Sequence, residues 1–90
     1  MIQPMNEIQR KPKALKQMRK IPAQAGAAIR QSVNAELIDL ARARSVKALT
    51  HHEYGYRLRV GNYRIFFDFN DGTACIVSIE EARKRDELTY

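Results

Sequence analysis

The sequence predicts an α+β fold: an N-terminal helical hairpin packed on one face of a small antiparallel sheet. Three observations predict it. Ile29, Val33, Leu37 and Leu40 recur at helical spacing. Tyr56, Leu58 and Val60, then Tyr63, Ile65, Phe67 and Phe69, alternate with other residues on either side of Gly61-Asn62, as in a β-hairpin. The helical signals precede this sheet signal instead of interleaving with it, which separates α+β from a parallel α/β arrangement. The 90 residues support one domain, spanning 1–90. A chain this short buries about 60–65% of its unfolded surface, so the core is modest.

The elements follow in chain order. Residues 5–10 suit a short first strand, with Pro4 at its edge. In "KALKQMRKI" Leu15 and Met18 stand three apart, which predicts a short helix with both on its apolar side. Pro22 breaks that helix and suits the first turn of the next. In the second helix Arg30, Gln31, Asn34 and Asp39 fall away from the apolar stripe. "RARSVKALTHHEYG" is a connector with a short strand expected at 46–49. Gly61 at the first turn position suits a type II′ turn. That register brings all seven alternating apolar residues of the hairpin to one face, the face the helices cover. "NDG" marks a second hairpin, with a loop of either two or three residues. The register of Cys75, Val77 and Ile79 in the last strand is therefore open. Cys75, the one cysteine, reads as an inert thiol in an apolar strand.

Composition narrows the function. No apolar run approaches the 18 residues of a membrane span, and the N-terminus lacks the apolar middle of a secretory signal. A cytoplasmic location is the expectation. The net charge of +6 points to an acidic or polyanionic partner. Residues 1–50 hold ten Lys/Arg against three Asp/Glu, and residues 51–90 hold six against seven. Six of the positive charges lie within 10–20, where a solvated helix face is the plain explanation and phosphate contact the sharper one.

The arginines of the hairpin are different in kind. The turn sets Arg59 directly opposite Arg64, with Arg57 on the same face. Like charges directly opposite on a sheet are destabilising. Single arginines on a sheet commonly cover apolar surface with their stems and leave their heads wet. Three together, two of them opposed, fit a bound polyanion that converts repulsion into charge-assisted, bidentate hydrogen bonds. A phosphodiester backbone is such a ligand. Phe66, on that face, is placed to stack on a base or a sugar. The face is expected to be otherwise uncovered.

Three segments carry a family resemblance. "IQRKPKALKQMRKIP" resembles the first strand and helix of the RelE/ParE superfamily of type II toxin–antitoxin toxins. "YRLRVGNYRIFFDF" resembles its central hairpin, and "IVSIEEARKRDELTY" its last strand and Arg-containing terminal segment. For the RelE branch the resemblance implies a ribosome-dependent mRNA endoribonuclease, or mRNA interferase, that inhibits translation. It cuts mRNA in the A site by attack of a ribose 2′-OH on the adjacent phosphate. The chemistry needs cations at the phosphoryl oxygens, a base for the 2′-OH and a proton donor for the leaving 5′-oxygen. It requires no metal or other cofactor, and the chain offers no carboxylate cluster of the kind Mg²⁺ prefers.

Carried onto this sequence, the resemblance makes Arg64 the residue that stabilises the phosphate. Arg57 and Arg59 match basic residues on the preceding strand. Either Arg83 or Arg85 matches a terminal arginine, and Tyr90 the terminal tyrosine, a candidate base or stacking residue. Where some relatives carry lysines, this chain has Arg57 and Arg59, and arginine cannot give up its proton. Tyr90 then serves as base only if nearby cations lower its pKa, with Lys84 and Lys47 as alternatives. Lys84 is also a candidate RNA contact. His51 and His52 suit a general acid by chemistry but sit in a connector.

The same resemblance admits a ParE-like inhibitor of DNA gyrase without RNase activity, or a member that only binds its antitoxin. Implied partners are an antitoxin, the ribosome with its mRNA, and operator DNA through the antitoxin.

Overall fold

The computed structural model describes residues 6–40 and 43–81. The element order is β1 (Glu7–Arg10), α1 (Pro12–Arg19), α2 (Ala23–Glu36), β2 (Val46–Ala48), β3 (Tyr56–Val60), β4 (Tyr63–Asn70) and β5 (Thr73–Glu81). The strands form one five-stranded sheet in the order β1-β5-β4-β3-β2. Strands β2 to β5 pair antiparallel, as their short connections require. β1 departs from the all-antiparallel expectation, pairing parallel with β5 from Glu7↔Thr73 to Arg10↔Ile76. No hairpin joins these two strands: the chain between them runs through both helices and strands β2 to β4, well beyond the length a parallel neighbour needs.

The β3–β4 hairpin has the expected register, from Val60↔Tyr63 to Tyr56↔Phe67. Gly61 takes φ 57° while Asn62 does not, the type II′ pattern. The second hairpin closes on two residues, because Asn70 pairs with Thr73. Asp71 and Gly72 both adopt positive φ, 51° and 77°, which makes this turn type I′. Further along, Phe66 pairs with Ser78 but Phe67 with Ile76, leaving Val77 as an extra residue. This bulge lets Ile76 and Ile79, three apart, both face the core. Cys75 is half-buried opposite Asp68.

The core lies between the helices and one sheet face. It joins Ala14, Ile29, Val33 and Leu37 to Leu58, Ile65, Phe67, Ala74, Ile76 and Ile79. Leu40 and the remaining hairpin residues of the inner face, Tyr56, Val60, Tyr63 and Phe69, pack around it. Pro22 caps α2 from just outside, its carbonyl accepting the Gly26 amide at 2.8 Å. At the other end Asn6 donates from its amide nitrogen to Ile38 O and from Nδ2 to Leu37 O, both at 3.0 Å. These bonds satisfy carbonyls that a helix terminus leaves free.

Helix α1 is rotated from the expected orientation. Ala14 is fully buried, Met18 half-buried, and Leu15 is 45% exposed. The reason lies in residue 17. Gln17 Oε1 accepts the Ile79 amide at 2.6 Å, beyond the point where β1 stops pairing with β5. Residues 14, 17 and 18 therefore form the sheet-facing side.

Candidate functional site

The outer sheet face is built by the same alternation that fills the core. Leu58 and Val46 point inward as a pair, so Arg57 and Lys47 form the next pair on the outside. Across β3 and β4, Arg57 stands opposite Phe66 and Arg59 opposite Arg64. Two like-charged pairs thus share one face: Lys47 with Arg57, and Arg59 with Arg64. A groove of about 500 Å³ runs beside them, lined by Arg44, Ser45, Val46, Lys47, Arg57, Arg59 and Gly61.

The far wall of this groove is held in place from α2. Glu36 Oε1 accepts the amides of Arg44 at 2.9 Å and Ser45 at 2.8 Å. The Arg59 amide in turn donates to Ser45 O at 3.1 Å. A carboxylate that takes two backbone donors on one oxygen is fixed, and so is the strand entry it holds. Arg44 and Lys47 are brought to the groove by this device.

The cations are not equivalent. Arg59, Arg64 and Lys47 are exposed, whereas Arg57 is half-buried, with Nε sealed from solvent and without an acceptor among the described residues. A buried, unpaired donor on a charged group is costly unless a ligand or water meets it. Arg64 sits at the margin, between Arg59 on one side and Glu80 on β5 on the other. Asp68, further along β4, accepts the Gly55 amide on its Oδ1 at 2.8 Å.

Phe66 differs from its expected role as an open platform. It is only 7% exposed. The β2–β3 connector folds over it, with the His52 ring at 5.3 Å and 13° and the Tyr54 ring at 5.4 Å and 36°. The outer face is therefore covered at this point, because the connector is an ordered loop and not a spacer. The strand expected within the connector is present as β2. Alternation extended back from it marks Lys47 as outward; nothing in the sequence marks His52 as the cover of Phe66. Arg83, Lys84, Arg85 and Tyr90 lie outside the described residues.

The described residues thus bring together four cations in two opposed pairs, a fifth across the groove, and one buried guanidinium nitrogen without a partner among them. No curated protein matches the sequence. Solved structures share the fold at low identity. The RelBE2 toxin–antitoxin complex of Mycobacterium tuberculosis matches with TM-score 0.68 and 20% identity, over 86% of this chain and 98% of that one. An archaeal RelE–RelB complex from Pyrococcus horikoshii gives 0.72 and 15%, over 88% and 97%. A mutant of E. coli toxin RelE in the free state gives 0.71 and 16%, over 94% and 92%. The family model of the ParE toxin of type II toxin–antitoxin systems, parDE, matches residues 8–85. By that match the chain belongs to the ParE toxin family of type II toxin–antitoxin systems, within the RelE/ParE superfamily.

Proposed function

We propose that this toxin is an endoribonuclease that cuts mRNA in the ribosomal A site. The observation that carries the reading is the pairing of Lys47 with Arg57 and of Arg59 with Arg64 on one open face. Such pairs cost stability in the free protein and favour a ligand with repeated negative charge. In the proposed reaction the ribose 2′-oxygen attacks the adjacent phosphorus and the bond to the 5′-oxygen breaks. A 2′,3′-cyclic phosphate results, and the leaving 5′-oxygen takes a proton from water to become a 5′-hydroxyl. Arg57, Arg59 and Arg64 stabilise charge on the phosphoryl oxygens. Lys47, opposite Arg57, is the one described cation of the opposed pairs able to accept the 2′-OH proton through loss of its own. Tyr90, Lys84, Arg83 and Arg85 remain proposed contributors from the C-terminal segment. The fold shared with RelE toxins supports this reading, and the RelB-bound relatives support an antitoxin as partner.

The ParE family match favours a second reading, in which the same cations bind DNA gyrase and no RNA is cut. One experiment separates the two. The protein is added to a translation reaction and mRNA ends are mapped by primer extension. Codon-phased cuts that require ribosomes support the nuclease. Intact mRNA with trapped gyrase–DNA cleavage complexes overturns it in favour of the gyrase poison.

A further inference from the structure

Residues 49–55 form a closed loop over the outer face. The Leu49 amide donates to Gly55 O at 2.8 Å, and the Gly55 amide donates to Asp68 Oδ1 at 2.8 Å. Inside the loop His51 adopts φ 54°, a left-handed conformation uncommon outside glycine and one that histidine enters more readily than most. Directly after it, His52 turns back over the sheet. The Tyr54 amide donates to His52 Nδ1 at 3.1 Å, which holds the ring in place and puts the proton of the neutral imidazole on Nε2. The His52 ring then lies nearly parallel to Phe66 at 5.3 Å.

The result is a cluster of three rings. Phe66 is its buried base, His52 lies nearly parallel to it, Tyr54 tilts against both with its ring centroid 5.7 Å from that of His52, and His52 is exposed. Phe66 stands directly opposite Arg57, which stands directly opposite Lys47. An exposed planar ring beside a row of phosphate-binding cations has the form of a single-strand binding site, where the backbone follows the charges and a base rests on an aromatic face.

We propose that His52 is the nucleobase-stacking residue of the site, receiving a base of single-stranded RNA whose phosphates lie on Lys47 and Arg57. This rests on the RNA-binding reading above. His52 has the stacking role that burial denies to Phe66, and Phe66 acts through it as a positioning residue. Stacking accepts any base, so His52 strengthens binding without selecting a codon.

The test measures binding alone, so that cutting does not enter. Fluorescence anisotropy follows a short 2′-O-methyl RNA and an abasic strand of the same length and charge. The proteins are wild type, His52→Ala, His52→Phe, His52→Leu and Arg57→Ala. Wild type is expected to prefer the base-bearing strand by about tenfold, the scale of one stacked base. His52→Ala and His52→Leu are expected to lose that preference while still binding the abasic strand as wild type does, and His52→Phe to keep it. His52→Leu still covers Phe66, so it decides the matter if His52→Ala fails to fold. An undiminished preference in His52→Leu overturns the stacking role while leaving RNA binding intact. If wild type binds neither strand, or Arg57→Ala binds both as wild type does, the stacking role fails, and the RNA reading fails with it only where the translation reaction also leaves mRNA uncut.

Discussion

Arg59 and Arg64 stand directly opposite each other across the β3–β4 hairpin, both exposed and with Glu80 beyond Arg64 on β5. The free protein bears this repulsion on its central strands, and its removal is expected to stabilise the fold. Replacing Arg59 with Glu turns the pair into an attraction and leaves Arg64 facing Glu80. Arg59→Glu is expected to raise unfolding free energy by about 0.2–1 kcal/mol in a urea melt and to abolish mRNA cutting in the primer-extension assay. A destabilised variant would mean that the Arg59 stem packs on the sheet more strongly than its charge repels.

Lys47 and Arg57 form the second opposed pair, and the lysine differs from its neighbours in being able to release a proton. Lys47→Arg separates charge from proton transfer. It is expected to bind RNA within about twofold of wild type, while the cutting rate falls by about 10²–10⁴, the contribution of a general base. Lys47→Met is expected to lose binding as well. Cutting at the wild-type rate by Lys47→Arg would assign proton removal to another group.

The rotation of α1 depends on Gln17, whose side chain meets the Ile79 amide. Gln17→Leu leaves that donor without an acceptor and is expected to cost about 1–3 kcal/mol, with faster amide exchange at Ile79. Leu15→Lys, on the exposed side, is expected to stay within about 0.5 kcal/mol of wild type. A large loss at Leu15 with none at Gln17 would return the helix to the orientation its Leu15–Met18 spacing suggests.

Much of this arrangement is legible in the chain. The hairpin register follows from Gly61-Asn62 and strict alternation, since a slip of one residue would expose Leu58, Ile65 and Phe67. The same rule places Arg57, Arg59 and Arg64 outside. In α2 the stripe from Ile29 to Leu37 is long enough to fix the buried side. Helix α1 is too short for that. With two apolar residues to choose from, its rotation is decided by a polar contact to a residue 62 positions away. The bulge at Val77 is equally silent, because either phase of β5 presents apolar residues to the core.

The sequence by itself determined the α+β order, the β3–β4 hairpin and the crowding of its arginines. These follow from periodicity and turn chemistry, which act between near neighbours. The tertiary structure decided the parallel edge strand, the placement of Lys47 and Arg44 beside the groove, and the folding of His52 over Phe66. Each depends on contacts between segments distant in the chain, where geometry, not local preference, selects the partner.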